Sequence, residues 1–332
     1  MRFNRKRVAL IYGGRGCERD VSLMSASAMA ESISRSFECI KVEITKDGIW
    51  QNEEKKQLLC AKIDNRCGFF MPDGGSFLEI DCAFPLLHGD FGEDGRVQGA
   101  LDFADIPYIG CDGPVGAICR DKSVVKSVAK RIGIPTLKFA VARSYAEAKI
   151  IAEEQIGYPL FIKPCTLGSS IGANKVESEG ELKKATELAF LNSDKIIIEP
   201  YLKNKRELEC GYFGTKCKEI FTNVGEILTG GNFYDYESKY GGERTECIPR
   251  ADVPEEINKK IKEYSKRLVK ELGVKQLSRI DFFLSEGEIF LNEINTMPGF
   301  TVGSLYPAML SEAGIDRDSL VKMLVLDQIS GK

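Results

Sequence analysis

At 332 residues the chain is too long for a single small core, so two or three domains are expected. Charged residues make up 29 % and the net charge is only -3, which excludes a broad nucleic-acid footprint and a disordered chain. Eleven cysteines contain no C-x-x-C pair and sit mostly in apolar segments, such as Cys82 and Cys210, which argues for reduced, buried thiols rather than disulfides or zinc. The start, Met1 to Arg7, is basic, but the apolar run Val8 to Tyr12 is too short for a signal sequence. No run reaches membrane-spanning length, so a soluble, cytoplasmic protein is expected.

The first third alternates strand and helix. Val8 to Tyr12 reads as a buried parallel strand, turned by Gly13-Gly14, with Asp20 or Ser22 capping a helix through Ser25 to Ser32. Cys39 to Ile44 and Cys82 to Leu87 read as further strands, followed by the loop His88 to Gly95, a helix from about Val97 to Phe103 and a short strand Tyr108 to Gly110. This rhythm predicts an open parallel α/β sheet with helices on both faces, and ligands outside the carboxyl ends of its strands. The loops 13–22 and 88–95 lie there. From Asp121 a helix carrying Lys122, Lys126 and Lys130 leads to the strand Leu160 to Lys163, the loop Leu167 to Gly172 and the strand Ile196 to Glu199, a small α+β unit. Strands near Glu207 to Phe213 and Glu219 to Val224, a Gly/Tyr-rich segment 230–242 and an amphipathic helix from Glu255 to Gly273 follow. A hairpin and a helix from Ile315 to Ile329 finish the chain.

The hairpin carries the strongest chemical signal. Gln276 to Leu284 and Glu288 to Ile294 are strand-like, and Ser285-Glu286-Gly287 reads as a three-residue turn that pairs Leu284 with Glu288. That register sets Arg279, Asp281, Glu293 and Asn295 on one face, with Ile280, Phe282, Leu284, Phe290 and Ile294 on the other. A two-residue turn would put Asp281 and Glu293 on opposite faces. Two carboxylates and an amide oxygen on a mostly apolar hairpin suit a hard cation that also takes phosphate oxygens, such as Mg²⁺; the alternative is a buried ion pair of Arg279 with Asp281 or Glu293.

Three other segments leave two readings each. The Gly/Ser loop behind Lys163 either folds over phosphates with its N–H groups or is an ordinary turn, and it is not a Walker loop. In Gly13-Gly14-x-Gly16 the third glycine of a dinucleotide fingerprint is missing, so a nicotinamide-dependent oxidoreductase is only the runner-up from another class. Glu18 either binds a substrate ammonium or favours the dipole of the following helix. His88, the only histidine, is either a structural residue or a site residue, and Glu93-Asp94-Gly95 could simply cap the next helix.

Taken in order, these stretches resemble the D-alanine–D-alanine ligase family of the ATP-grasp superfamily. The matching residues are Gly13-Gly-x-x-x-Glu18-Arg-Asp-Val-Ser, His88-Gly-x-x-Gly-Glu93-Asp-Gly, Asp121-Lys122 and Phe161-Ile-Lys163-Pro-x-x-x-Gly-Ser169-Ser. Further on come Phe233 to Tyr240, Arg279-Ile-Asp281, Asn292-Glu293-Ile-Asn295-Thr-x-Pro-Gly299 and Ser304, so the set spans nearly the whole chain. The resemblance implies an N-terminal α/β domain (1–120) and two α+β units (121–202 and 203–332) that clasp ATP. It implies Lys122 and Lys163 on the nucleotide phosphates, Glu199 and Leu202 on adenine, Glu207 on ribose, and two Mg²⁺ ions (or Mn²⁺) on Asp281, Glu293 and Asn295. Glu18 would grip the first D-alanine with His88 nearby, and Arg279 and Gly299 would stabilise the oxyanion. Ser304 and Lys239 would address the second carboxylate or the transferring phosphate, with Tyr240 joining Glu18 and Ser169 in a network under a lid. The family also implies a homodimer and a place in peptidoglycan precursor synthesis. Pro200 after Glu199 departs from the usual pattern, as does Phe300-Thr-Val-Gly-Ser304. Gly110-Cys-Asp, Ile118-Cys-Arg-Asp-Lys and Asn295-Thr-Met-Pro-Gly-Phe-Thr are similar to the vancomycin-resistance branch, which leaves D-serine open as second substrate.

Overall fold

The computed structural model describes residues 5–191, 193–228, 246–301 and 303–330. The chain starts with β1 (Arg7–Gly13), α1 (Arg19–Ser36), β2 (Glu38–Ile44) and β3 (Trp50–Gln51). An antiparallel meander follows, β4 (Leu59–Ile63), β5 (Arg66–Met71) and β6 (Ser76–Glu79), then β7 (Cys82–Pro85) and α2 (Arg96–Phe103). The apolar β1 lies between β2 and β7, parallel to both, and β3 adds one antiparallel edge. Chain connections therefore leave β1 in opposite directions, and the loops after β1 and β7 meet at this switch point.

The sheet is covered differently from expectation. One face buries Val8 and Leu10 beneath α1 and the last helix of the chain, so a C-terminal element packs on the N-terminal sheet. The other face, with Ala9, Ile11 and Val42, is covered by α2 and by the meander through Cys67 and Phe69. A sheet can take a second sheet instead of a second helical layer when it presents the same apolar face. Tyr108 forms only an isolated bridge to Ala83 rather than a strand. Neither Asp20 nor Ser22 caps α1: both lie inside it, and the Ser22 hydroxyl ties the switch point by accepting from Gly13 N (2.8 Å) and donating to Leu86 O (2.5 Å).

Next come α3 (Gly113–Arg120), α4 (Lys122–Arg131), β8 (Ala140–Ala142) and α5 (Tyr145–Ile150), which continues as a π-helical turn. Asp121 caps α4 through Ser123 N and Val124 N. Then β9 (Leu160–Pro164), β10 (Asn174–Val176), α6 (Glu179–Phe190) and β11 (Ile196–Pro200) complete an antiparallel sheet in the order β10-β9-β11-β8. The remaining strands are β12 (Arg206–Gly214), β13 (Glu219–Phe221), β14 (Gly225–Leu228), β15 (Glu246–Ile248), β16 (Leu277–Ser285) and β17 (Glu288–Asn295). They form one sheet, backed by α7 (Glu255–Leu272), α3 and α4 over Leu208, Ile261, Leu268, Ile280 and Phe282. Gly273, at φ 71°, ends α7 in the left-handed conformation expected of a glycine stop. Two helices, α8 (Leu305–Glu312) and α9 (Arg317–Ile329), end the chain, and α9 is the one that returns to the first sheet.

The hairpin β16–β17 corrects the expected register. Ser285 pairs with Glu288, so the turn has two residues, Glu286 and Gly287, at φ 51° and 81°, the positive pair of a tight hairpin turn. The ladder then shifts between Asp281 and Phe282: Phe282 pairs with Leu291 but Asp281 pairs with Glu293, leaving Asn292 as a bulge. The bulge reverses the parity set by the turn, so Asp281 and Glu293 share one face although the turn is short. Near the turn the parity is the opposite of expectation: Ile289 and Leu291 join Phe282 in the core, and Phe290 pairs with Phe283 on the other side.

Candidate active site

A cavity of about 480 Å³ opens where the β1 and β7 loops, the β9 loop and the polar face of β16–β17 converge. Its wall contains Glu18, His88, Lys122, Lys163, Ser169, Glu207, Arg279, Asp281, Glu293, Asn295, Gly299 and Ser304, twelve of the residues expected from sequence. Glu199 and Leu202 do not line it. Lys239 and Tyr240, with the 230–242 segment, lie outside the described residues.

The hairpin end is a charge lattice. Arg279 donates from Nε (2.8 Å) and a terminal nitrogen (2.7 Å) to the two oxygens of Asp281, and its Nε lies 3.2 Å from Glu209. Burial works against the guanidinium charge, but Asp281 and Glu209 hold its pKa above the ordinary arginine value. Lys122, at the first turn of α4, reaches Glu293 at 3.0 Å and donates to Leu167 O at 2.6 Å, which ties the β9 loop to the hairpin. With the Asn295 amide oxygen toward Arg279 (3.1 Å), its nitrogen donates to Glu93 (3.1 Å). The bulged Asn292 turns its side-chain oxygen to Lys163, which donates at 2.9 Å. Of the two arrangements open to the hairpin, the Arg279–Asp281 ion pair is formed, and the oxygen donors are grouped around it.

Among the described residues no three His, Cys, Asp or Glu side chains are grouped to hold a metal by themselves. The donors here are two carboxylates facing each other across the ladder and one amide, flanked by Lys122 and Arg279. Such a set fits a hard divalent cation whose remaining ligands come from phosphate oxygens, and it is too small to cage one alone.

The opposite wall is built from loops. Glu18 stands at the N-cap position of α1 but makes no cap; its carboxylate turns into the cavity and accepts from the Ser169 hydroxyl at 2.6 Å. A side chain on Gly89 would displace Glu18: at φ 70° a Cβ there would lie 2.0 Å from Glu18 Oε2. Ser169 and Ser170 sit at φ 52° and 58°, a rare conformation for two adjacent non-glycine residues that stores strain at the loop tip. His88 Nδ1 lies 3.0 Å from the carbonyl of Met297, which only accepts, so Nδ1 carries the proton. Nε2 is then a buried lone pair with no protein partner, and burial lowers the imidazole's pKa, keeping it neutral.

Several contacts of the site, and the part played by Arg120 and Lys126 in it, escaped the sequence reading. Glu93 does not cap α2; it accepts from Gly89 N (2.7 Å) and Met297 N (3.0 Å), clamping the two walls together, and burial raises its pKa to about 7. Arg120, nine-tenths buried, lies 3.7 Å from Glu18 and 3.5 Å from Asp90. Lys126 and Lys163 both bind Glu199 behind the cavity. The spacing of Lys122 and Lys126, four apart on one helix, was the available signal for the last group. The glycines of the suspected dinucleotide fingerprint have packing reasons instead: a Cβ on Gly13 would sit 2.5 Å from Ile44 O and one on Gly16 2.9 Å from Asp90 O.

A Gly/Ser loop from one antiparallel sheet and the carboxylate face of a hairpin in a second, joined by Lys122 and Lys163, belong to an ATP-grasp fold. Family models described as D-ala D-ala ligase N-terminus and C-terminus match residues 7–111 and 128–326. The chain is 38 % identical to a D-alanine–D-alanine ligase of Deinococcus radiodurans, covering 97 % of this chain and 98 % of that one. A second such ligase, of Acetivibrio thermocellus, is 34 % identical over 97 % and 95 %. Among solved structures, D-alanyl-alanine synthetase A of Vibrio cholerae superposes with a TM-score of 0.89 at 29 % identity over 99 % of both chains. The VanG D-Ala:D-Ser ligase of Enterococcus faecalis does so at 0.86 and 34 % identity, over 97 % and 98 %. The chain belongs to the D-alanine–D-alanine ligase family.

Proposed function

We propose that this chain joins two D-alanines to D-alanyl-D-alanine as ATP is converted to ADP and phosphate, supplying a peptidoglycan precursor in the cytoplasm. The observation that carries the reading is the shared face of Arg279, Asp281, Glu293 and Asn295, set across one cavity from Glu18 and His88. A carboxylate oxygen of the first D-alanine attacks the γ-phosphorus, and the bond to the ADP oxygen breaks. The amine of the second D-alanine then attacks the acyl carbon, loses a proton, and phosphate leaves.

In this chemistry the chain supplies positioning and charge more than covalent groups. Glu18 accepts the first ammonium, and the bare Nε2 of His88 offers a second acceptor beside it. Lys122 and Lys163 address the phosphates, Glu207 the ribose, and the segment from Glu199 to Leu202 the adenine through its backbone, because the Glu199 side chain is held by two lysines. Arg279 and the Gly299 N–H face the developing oxyanion. Ser304, held by Thr301 at 2.7 Å, addresses the second substrate. Asp281, Glu293 and Asn295 would hold two Mg²⁺ ions, with Mn²⁺ as a substitute. Bound there, the metal would neutralise phosphate charge. We divide the chain at residues 120 and 202 and take the working unit to be a homodimer. Each of D281N and E293Q should lower kcat about a hundredfold or more while the fold, read by circular dichroism, is retained. Near-normal turnover in a folded variant would end this reading.

A second reading takes D-serine as the attacking amine. The likeness to a D-Ala:D-Ser ligase favours it, as does the Thr301–Ser304 hydroxyl pair in the cavity wall.

A further inference from the structure

Among the described residues Lys126 is the most deeply buried cation near the cavity, 0 % exposed, and it does not line it. Its ammonium lies 2.7 Å from Glu199 Oε1 and donates to Leu291 O at 3.0 Å. The other oxygen of Glu199 lies 2.8 Å from Lys163, whose ammonium faces the cavity beside Asn292. Glu199 itself is 1 % exposed, so a carboxylate and an ammonium have both been taken out of water behind Lys163. Desolvating two charges is expensive, and a pair of apolar residues would fill the same space at less cost. Both oxygens of Glu199 are engaged by lysines, so its side chain serves Lys163 rather than a base.

We propose that Lys126 is a positioning residue for nucleotide binding: by neutralising Glu199 from behind, it leaves the full charge of Lys163 to the triphosphate. Without Lys126 the pair Lys163–Glu199 is neutral overall; with it the triad carries one positive charge. The inference rests on the reading that Lys163 meets the phosphates.

The arrangement makes a dependence on pH. Lys126 faces Glu199 on β11, Lys163 on β9, and the Leu291 carbonyl and Glu293 on β17. Burial pulls its pKa down to about 8, with Glu199 opposing and Lys163 assisting. As pH rises through that value the triad loses its net charge, and a polyphosphate should be held less tightly.

The test is equilibrium binding of Mg·ATP and of adenosine, which has no phosphates, between pH 7 and 9.5. In the unaltered protein Mg·ATP affinity should fall about tenfold over that range, the worth of one nearby charge, while adenosine affinity stays level. K126M should bind Mg·ATP about tenfold more weakly at pH 7, with no further fall on raising pH, and bind adenosine normally. K126R, whose charge does not titrate, should bind tightly and flatly. A level Mg·ATP profile in the unaltered protein overturns the proposal, as does an unchanged slope in K126R. Equal weakening of ATP and adenosine in K126M also overturns it, and if K126M does not fold the other two proteins still decide. K163M is the control on the underlying reading: unaltered Mg·ATP binding there means that Lys163 does not meet the phosphates.

Discussion

Glu199 shows how a single carboxylate becomes part of the fold. Burial alone would push its pKa up, but the ammoniums of Lys126 and Lys163 together bring it down to about 2, against 4.5 for a free glutamate. A depressed carboxyl stabilises the folded protein fully above its unfolded value and loses that contribution as pH falls toward the folded one. Stability should therefore decline between about pH 4.5 and 2, and E199Q, less stable at neutral pH, should show a shallower acid slope in thermal unfolding than the unaltered chain. An identical slope would show that the carboxylate is not charged in the fold. The sequence placed Lys122, Lys126 and Lys163 on the right elements, but the partners 126–199 and 163–199 come from three separate segments. Nothing local encodes such a meeting. His88 was half legible: Nδ1 is held by the Met297 carbonyl, as a structural residue would be, while Nε2 is buried without a hydrogen-bond partner and its role at the site belongs to the proposed function.

The loop and hairpin elements explain where reading by pattern succeeds and where it stops. Alternation placed Arg279 with Asp281 and Glu293 with Asn295 on each strand, but their shared face was expected from a three-residue turn and is reached instead by a two-residue turn offset by a bulge. The turn was not legible, since Ser-Glu-Gly permits both a two-residue and a three-residue loop, and the bulge at Asn292 has no signature of its own. The meander β4–β6 was missed because its strands are short and half exposed; Cys67 and Phe69 become core residues only against the neighbouring sheet. Loop packing around Glu18 is equally tertiary. G89A would drive a methyl group into the Glu18 carboxylate and strain a positive φ, so the KM for D-alanine should rise at least tenfold with the KM for ATP little changed. Equal effects on both substrates would mean that the loop serves the whole fold rather than the amino-acid site.

At the scale of the molecule, three sheets deliver loops and one hairpin face to a single cavity. The parallel β1/β2/β7 arrangement was readable from alternation and apolar runs; the antiparallel pairing of the strands after Asp121 was not, because nothing in those runs fixes strand direction. Nor was the return of α9 to the first sheet, because the amphipathic pattern of a helix says that it packs and not against what. No helix among the described residues is long and apolar enough to cross a membrane. On this reading the cavity couples ATP to bond formation between two D-amino acids. The most direct test incubates the purified protein with ATP, Mg²⁺ and D-alanine, with and without competing D-serine, following phosphate release and identifying the product by mass. Phosphate release should require all three components together and yield D-alanyl-D-alanine, with any D-alanyl-D-serine reporting the second-substrate preference. Phosphate release indifferent to D-alanine, or none at all from folded protein, would contradict it.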